Sequence, residues 1–186
     1  AGMHSYEAIL AAAEPVPDAE RGYEDLAGLF YTGGTTGRSK GVMLSHLNLV
    51  FNAFNSIVLL QYETDTRFIH APPMFHIADC VAVFGGTQLG IEHYFIPAFN
   101  PQVTLEAIQR WGITETLLVP TMVNMMVNFP GVEKYDLSSF KRLSYGASPM
   151  PEAVILRAME RMPDVKFFHA YGQTECAPIT CINGPE

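Results

Sequence analysis

A short segment between two apolar runs contains the residues best suited to hold phosphate groups. Residues 31–41 are Tyr-Thr-Gly-Gly-Thr-Thr-Gly-Arg-Ser-Lys-Gly. Glycines let the backbone turn its N–H groups toward a ligand, threonines add hydroxyl donors, and Lys40 adds a positive charge. The segment therefore predicts a phosphate-binding loop built from Thr32, Gly33, Gly34, Thr35, Thr36, Gly37 and Lys40.

This loop differs from two common nucleotide-binding patterns. A Walker A loop has glycine directly before its lysine and serine or threonine after it, whereas Lys40 lies between Ser39 and Gly41. A dinucleotide-binding turn needs Gly-x-Gly-x-x-Gly at the start of a helix, but Gly33 and Gly34 are adjacent and a strand-like run follows. A flexible hairpin connection is the alternative that needs no ligand.

A second polar segment, Tyr171-Gly172-Gln173-Thr174-Glu175, follows an apolar run at 165–170. This position predicts the carboxyl end of a strand, where open α/β sheets bind ligands. Tyr171 offers an aromatic face for stacking, Thr174 a hydroxyl donor, and Glu175 the carboxylate oxygens that hard cations prefer. Taken alone, so short a segment is more typical of a surface turn.

Together, the two segments resemble the adenylate-forming superfamily, which includes acyl-CoA synthetases, aryl-CoA ligases, luciferases and peptide-synthetase adenylation domains. The family's phosphate loop is Tyr-Thr-Ser-Gly-Thr-Thr-Gly-x-Pro-Lys-Gly, and it is paired with a distant Tyr-Gly-x-Thr-Glu. The chain departs from the loop pattern at Gly33 and Ser39, which removes one hydroxyl donor and one rigid turn residue. Lys40 and the paired threonines are kept.

The resemblance implies an ATP-dependent ligase that uses Mg²⁺ and has coenzyme A as its co-substrate. A fatty or aromatic carboxylic acid would attack ATP to give an acyl-adenylate and pyrophosphate, and a thiol would then attack the activated carbonyl to form the thioester. Thr35 and Thr36 would hold the β- and γ-phosphates and Thr174 the α-phosphate. Lys40 and the metal ligand Glu175 would stabilise the charge that moves toward pyrophosphate. Lys40, Thr174 and Glu175 are therefore expected to be catalytic.

Two further segments extend the resemblance. Residues 72–76, Pro-Pro-Met-Phe-His, are similar to the family segment that borders the acyl pocket, which implies a catalytic position for His76; a packed structural histidine is the alternative. Residues 144–150 are similar to the family's strand-to-helix turn, which implies that Gly146 and Ala147 contact the nucleotide together with Tyr171 and Gly172. A plain turn before a helix is compatible with the same residues.

An apolar acyl or aromatic pocket is suggested by Phe75, Ile77, Val119 and Met122. The methionines of the segment 122–126 could line that pocket, although methionines at helical spacing are more often part of a core.

Composition excludes several other classes of protein. A net charge of −8 with only 11 Lys and Arg argues against a nucleic-acid partner. The three cysteines show neither metal-ligand spacing nor a disulfide framework, which indicates the cytoplasm. We expect neither a signal peptide nor a membrane anchor.

The order of apolar patterns predicts an α/β fold with a doubly wound, mostly parallel sheet flanked by helices. Strands are expected at 26–32, 41–45, 67–71, 93–96, 116–119, 142–145 and 165–170, and helices at 47–60, 77–89, 104–111, 121–129 and 151–162. Thr104 is expected to cap its helix and Gly112 to end it. The last helix is expected to turn one face inward, made of Val154, Ile155, Ala158, Met159 and Met162.

Residues 1–25 are expected to form a lead-in helix or linker, and residues 26–186 a nucleotide- and acyl-binding core. Family members continue to a Thr-Gly-Asp segment and a C-terminal domain, so we expect the chain to be a central fragment of the large N-terminal domain, inactive alone. Since only 16% of residues are charged and 48% are hydrophobic, surface covered in a longer protein would be exposed, and self-association is a related hypothesis. Two alternatives stay open: an adenylation module for a carrier protein, and a non-catalytic nucleotide-binding module.

Overall fold

The strands form two sheets in the computed structural model, which describes residues 3–33 and 37–185. Strands β1 (Leu26–Thr32) and β2 (Lys40–Ser45) pair antiparallel on either side of the predicted phosphate-binding loop. The second sheet contains six strands: β3 (Arg67–His70), β4 (Glu92–Phe95), β5 (Glu115–Leu118), β6 (Arg142–Gly146), β7 (Lys166–Gly172) and β8 (Ile179–Asn183). Their order is β4-β3-β5-β6-β7-β8, and all neighbours are parallel except β8, which is antiparallel to β7.

Helices alternate with these strands along the chain. They are α1 (Tyr6–Ala12), α2 (His46–Leu59), α3 (Ile77–Leu89), α4 (Pro101–Trp111), α5 (Pro120–Val127) and α6 (Glu152–Arg161), with short 3-10 helices at Val132–Lys134 and Thr174–Cys176. The predicted α/β architecture, a mostly parallel sheet flanked by helices, is confirmed. Across the described part of the chain, every helix is too short or too polar to cross a membrane.

Both faces of the larger sheet are covered, because successive side chains of a strand point to opposite faces. Phe167 of β7 packs into the cluster that contains Leu105 of α4 and Met126 of α5. The next residue, Phe168, packs into the opposite cluster with Ala82 of α3. The doubly wound arrangement follows from strands that are apolar on both faces.

Helix α4 begins earlier than the sequence predicts. The Asn100 side chain accepts a hydrogen bond from the N–H of Val103 at 3.2 Å, and Pro101 occupies the first turn, where a missing N–H costs nothing. The prediction that Thr104 caps this helix is wrong: its hydroxyl is buried and donates to the Asn100 carbonyl at 2.8 Å. Gly112, in the left-handed region with φ 61°, ends the helix as predicted.

Other differences from the predicted elements concern the edges of the fold. Strand β8 was not predicted, because Pro178 and Gly184 leave only a short run with mixed polarity. Met159 of α6 is 45% exposed, so its assignment to the inward face is wrong, whereas Ala158 and Met162 are buried as predicted.

Helix α2 buries two of its polar side chains beside the apolar Leu49 and Ala53. Asn52 and Ser56 are buried, while Phe51, Phe54 and Val58 of the same helix are more than half exposed. These two buried polar groups need hydrogen-bond partners, because burying them without hydrogen bonds costs free energy.

A buried ion network lies at the amino ends of β5 and β6. The Glu115 carboxylate accepts hydrogen bonds from the Arg142 guanidinium at 2.7 Å and the Thr66 hydroxyl at 2.9 Å. Arg142 also contacts Glu63 at 2.7 Å. Burial raises the pKa of Glu115 from 4.5 to about 7, against the opposing attraction of Arg142.

Glu115 should therefore make stability depend on pH. The pKa of Glu115 is about 7 in the folded state and 4.5 ordinarily, so the folded state binds the carboxyl proton more tightly than the unfolded state does. The protonated carboxyl therefore contributes its full stabilisation below pH 4.5, and this contribution is lost as the pH rises through about 7. Urea unfolding between pH 5 and pH 8 should show this loss, on the order of 3 kcal/mol at about 1.4 kcal/mol per pKa unit, and Glu115→Gln should remove it. Glu63→Gln, a change at the exposed partner of Arg142, should keep most of this loss of stability, because the Glu63 charge is the smallest of the causes that act on the pKa of Glu115. An unchanged pH slope in Glu115→Gln would contradict the assignment.

Candidate active site

The carboxyl ends of the parallel strands surround a cavity of about 400 Å³. Pro72 and Pro73 follow β3, Val119 follows β5, and Ala147 follows β6, and all four line it. Parallel strands end at the same edge of a sheet, so the loops that leave them converge there.

Six residues that the sequence predicts for the site meet in this cavity: His76, Gly146, Ala147, Tyr171, Gly172 and Thr174. Tyr171 is 59% exposed, which leaves its ring accessible to a planar ligand. The roles of these residues stay predictions, but their convergence is a property of the fold.

The expected apolar pocket is formed by three of its four predicted residues. Ile77, Val119 and Met122 line the cavity. Phe75 does not: it is 80% exposed and contacts the His76 ring instead, with the ring centroids 5.0 Å apart. Among the methionines that follow Met122, Met126 is a core residue and Met125 is 52% exposed.

Close backbone contacts explain why glycines occupy two of these positions. A Cβ atom at Gly146 would lie 2.1 Å from the Ala170 carbonyl oxygen, and one at Gly172 would lie 2.0 Å from the Pro178 carbonyl oxygen. Ala147 and Ala177 adopt left-handed backbone with φ of 66° and 65°, which is uncommon for alanine. Such strained positions cluster at functional sites, and here both lie beside the predicted nucleotide-binding segments.

His76 is held at the cavity by the start of α3. It occupies the position directly before this helix, and its carbonyl accepts a hydrogen bond from the N–H of Asp79 at 3.1 Å. The Asp79 carboxylate is fully buried and contacts His70 Nδ1 at 2.9 Å. His70 Nε2 in turn lies 2.8 Å from His93 Nδ1. This chain of polar groups ties the first turn of α3 to β3 and β4.

The hydrogen-bonded series of side chains from Asp79 through His70 to His93 was not predicted from the sequence. Burial, and then the neighbouring His70, lower the pKa of His93. The available signal was weak: one histidine in each of two short strands and one aspartate in an apolar helix, with no periodic relation among them.

The predicted phosphate-binding loop connects β1 and β2. Thr32 pairs with Lys40 across this hairpin, and its hydroxyl donates to the Lys40 carbonyl at 3.4 Å. Gly33 is exposed and has open space around it, and Gly37 has a φ of 141°, which favours glycine. The predicted residues Gly34, Thr35 and Thr36 lie outside the described residues.

Glu175 faces a different cavity from Thr174. It lines a space of about 540 Å³ between β2, α2 and the turn at 174–177. Within residues 3–33 and 37–185, neither Lys40 nor Glu175 takes part in a salt bridge, and both are exposed. Both charges are therefore available to a ligand.

The donor set fits magnesium bound with a nucleotide. In the described part of the chain, no cluster of three or more His, Cys, Asp or Glu side chains could hold a metal by itself. Mg²⁺ typically binds one or two carboxylates together with substrate phosphates, so a single free carboxylate such as that of Glu175 suits it.

The model of the AMP-binding enzyme family matches residues 3–186. The chain belongs to the AMP-binding enzyme family. Enzymes of this family use ATP or AMP. Feruloyl-CoA synthase from Amycolatopsis sp. is 37% identical over 90% of the chain, and indoleacetate–CoA ligase from Aromatoleum aromaticum is 34% identical over 99% of it.

Solved structures agree with this assignment. The N-terminal domain of FACL13 from Mycobacterium tuberculosis matches 92% of the chain with a TM-score of 0.82 and 27% identity, and the match covers 43% of that structure. The o-succinylbenzoate coenzyme A synthetase from Bacillus subtilis, in complex with ATP and magnesium ion, matches 89% of the chain with a TM-score of 0.80 and 27% identity, covering 34% of that structure. The chain spans about a third of the length of the two curated relatives, 34% and 36%.

One further residue beside the predicted motif, Asn52, was also missed. In the sequence it only interrupts the apolar run of α2. Its spacing of four from Ser56 could have indicated a buried polar stripe. However, Asn48 and Asn55 interrupt the same apolar run, and spacing alone does not show which polar residues are buried.

The packing at Gly146 gives a direct test of the site's backbone. Gly146→Ala should lower the free energy of unfolding by about 3 kcal/mol or more, because its Cβ would collide with backbone of the neighbouring strand and not with a movable side chain. Gly33→Ala is the matched control: nothing lies within 4 Å of its Cβ, so stability should change by less than about 0.5 kcal/mol. Equal stability of the two variants in urea unfolding would show that β6 and β7 are not packed this closely.

Proposed function

We propose that the protein containing this chain is an AMP-forming acid–thiol ligase, which activates a carboxylic acid with ATP and transfers the acyl group to coenzyme A. The observation that carries the proposal is the single cavity shared by His76, Ala147, Tyr171 and Thr174 at the carboxyl edge of the sheet. The CoA ligases among its relatives support the class of reaction.

The shared cavity supports a proposed division of roles among these residues. Tyr171, Gly146, Ala147 and Gly172 would contact the adenosine portion, and Thr174 the α-phosphate. A carboxylate oxygen of the acid would attack the α-phosphorus while the bond from that phosphorus to pyrophosphate breaks. Lys40 and the N–H groups of the loop would bind the departing phosphates, where fixed donors stabilise developing negative charge.

Magnesium, held through Glu175, would neutralise phosphate charge when bound. His76 would lie beside the reacting carboxylate, since it lines the same cavity as Thr174. The thiol of coenzyme A would then attack the acyl carbon and release AMP.

For the acid, we propose a fatty or aromatic class. Ile77, Val119 and Met122 give the cavity an apolar wall, and the names of two relatives, feruloyl-CoA synthase and indoleacetate–CoA ligase, favour aromatic acids for the first screen.

We also propose that residues 26–186 form the nucleotide- and acyl-binding core, with residues 1–25 as a lead-in. Free Cys80, Cys176 and Cys181 support a cytoplasmic location.

Pyrophosphate release by the protein at its full natural length, measured with a panel of fatty and aromatic acids, tests the function and identifies the acid. Release that depends on one acid, followed by thioester formation only when coenzyme A is added, is the expected result. The absence of acid-dependent pyrophosphate release with every acid would overturn the proposal. Thioester formation on a carrier protein but not on coenzyme A would correct the acceptor.

Lys40→Ala and Glu175→Gln should each lower kcat/KM for adenylation by at least about 100-fold. The first removes a positive charge that would stabilise the negative charge developing on pyrophosphate, and the second weakens the binding of Mg²⁺, which would stabilise the same charge. Lys141→Ala is the control: this lysine forms its ion pair with Asp65 and precedes β6 at the opposite edge of the sheet, so the rate should not change. Wild-type rates in both site variants would rule out these two roles.

A further inference from the structure

We infer that Asn52 is a positioning residue that holds the turn carrying Thr174 and Glu175 against the helix that follows the phosphate-binding loop. The inference rests on the proposed ligase function. Asn52 lies in the middle of α2 and is only 8% exposed, although it is an amide on a helix rich in apolar residues.

The Asn52 side chain binds both ends of the turn between Thr174 and β8. Its Nδ2 donates to the carbonyl of Cys176 at 3.0 Å and to the carbonyl of Ile179 at 2.8 Å. Its Oδ1 accepts from the N–H of Ile179 at 3.2 Å. These three hydrogen bonds connect Asn52 to Cys176, which lies 124 positions later in the sequence, and to Ile179, which lies 127 positions later.

No other side chain of α2 makes such a connection within the described residues. The Ser56 hydroxyl, on the same buried face, donates back to the Asn52 carbonyl at 2.7 Å. Asn48 exchanges hydrogen bonds only with Ser45 at the start of the helix. Asn52 is thus the polar link between α2 and the turn at 174–179.

The position of Asn52 is otherwise one for an apolar residue. Leu49 and Ala177 belong to the small buried cluster beside it, together with Ile77. A buried amide costs free energy unless its donors and acceptors are paired. Here both Nδ2 hydrogens and Oδ1 have backbone partners, so the amide specifies one position of the turn, whereas a leucine would pack without specifying one.

The link reaches the phosphate-binding loop through a short and rigid path. Strand β2 begins at Lys40 and runs directly into α2, where Ser45 and Asn48 cap the helix reciprocally. Asn52 then fixes the turn that contains Glu175, one residue before the Cys176 carbonyl. The positions of the Lys40 and Glu175 charges relative to each other therefore depend on Asn52.

The test uses the full-length protein with two changes at Asn52 and one matched control. Asn52→Asp keeps the shape of the side chain but sets an oxygen against the carbonyls of Cys176 and Ile179, and Asn52→Ala removes all three bonds. Asn55→Asp makes the same charge change one turn along α2, in the same cavity, at an exposed residue. Acid-dependent exchange of pyrophosphate into ATP is measured against Mg²⁺ concentration, per folded molecule.

Both Asn52 variants should lower kcat about tenfold or more and raise the half-saturating Mg²⁺ concentration by a similar factor, which is typical for residues that orient a metal ligand. Asn55→Asp should change neither by more than about twofold. A purely structural role would lower the folded fraction or the melting temperature and leave the Mg²⁺ dependence of folded molecules unchanged, which would overturn the inference. Equal effects of Asn55→Asp and Asn52→Asp, with a wild-type-like Asn52→Ala, would also overturn it.

A second measurement does not need turnover and separates this inference from the proposed ligase function. Calorimetry of ATP binding with and without Mg²⁺ should show that Asn52→Ala loses the Mg²⁺-dependent gain in affinity, while hydrogen exchange at residues 173–179 becomes faster. If wild type releases no pyrophosphate with any acid but shows this Mg²⁺-dependent gain, the ligase function fails and the positioning role stands. If Asn52→Ala does not fold, Asn52→Ser, which adds no charge, is measured in the same way, and a wild-type gain in that variant overturns the inference.

Discussion

The parallel pairing of β3, β5, β6 and β7 is the constraint on which the site depends. It brings the loops that follow these strands to one edge, so residues far apart in the chain, such as His76 and Thr174, line one cavity. Glycine is needed where two strands or a strand and a turn approach most closely, at Gly146 and Gly172. The same close packing therefore shapes both the sheet and the cavity.

Buried polar groups on the α2 and α3 side of the larger sheet fix the positions of two segments beside the ends of the parallel strands. The carboxylate of Asp79 fixes the first turn of α3 through His70, and the amide of Asn52 fixes the turn after β7. Removing one partner of a buried polar pair is costly, because the other is left without a bond. Such pairs hold the segments around the cavity in one arrangement, which apolar packing alone does less strictly.

The charges of the site are arranged differently from those of the core. Glu115 and Arg142 are buried and paired at the amino ends of the strands, where they serve the fold. Lys40 and Glu175 are exposed and free of ion pairs within the described residues. In a protein with a net charge of −8, attraction for a polyanionic nucleotide must come from such local groups rather than from the overall field.

The sequence by itself determined the α/β class, most element positions and the two motif segments, because hydrophobic periodicity and turn residues act locally. It also predicted Gly112 as the end of α4, for the same reason. Only the tertiary structure decided that α2 buries Asn52 and exposes Phe51, that His70 meets Asp79 and His93, and that Glu175 faces away from the cavity of Thr174. These outcomes depend on which partner atoms the fold brings close together, in the case of Asn52 across more than 100 residues. Periodicity carries no information about such partners.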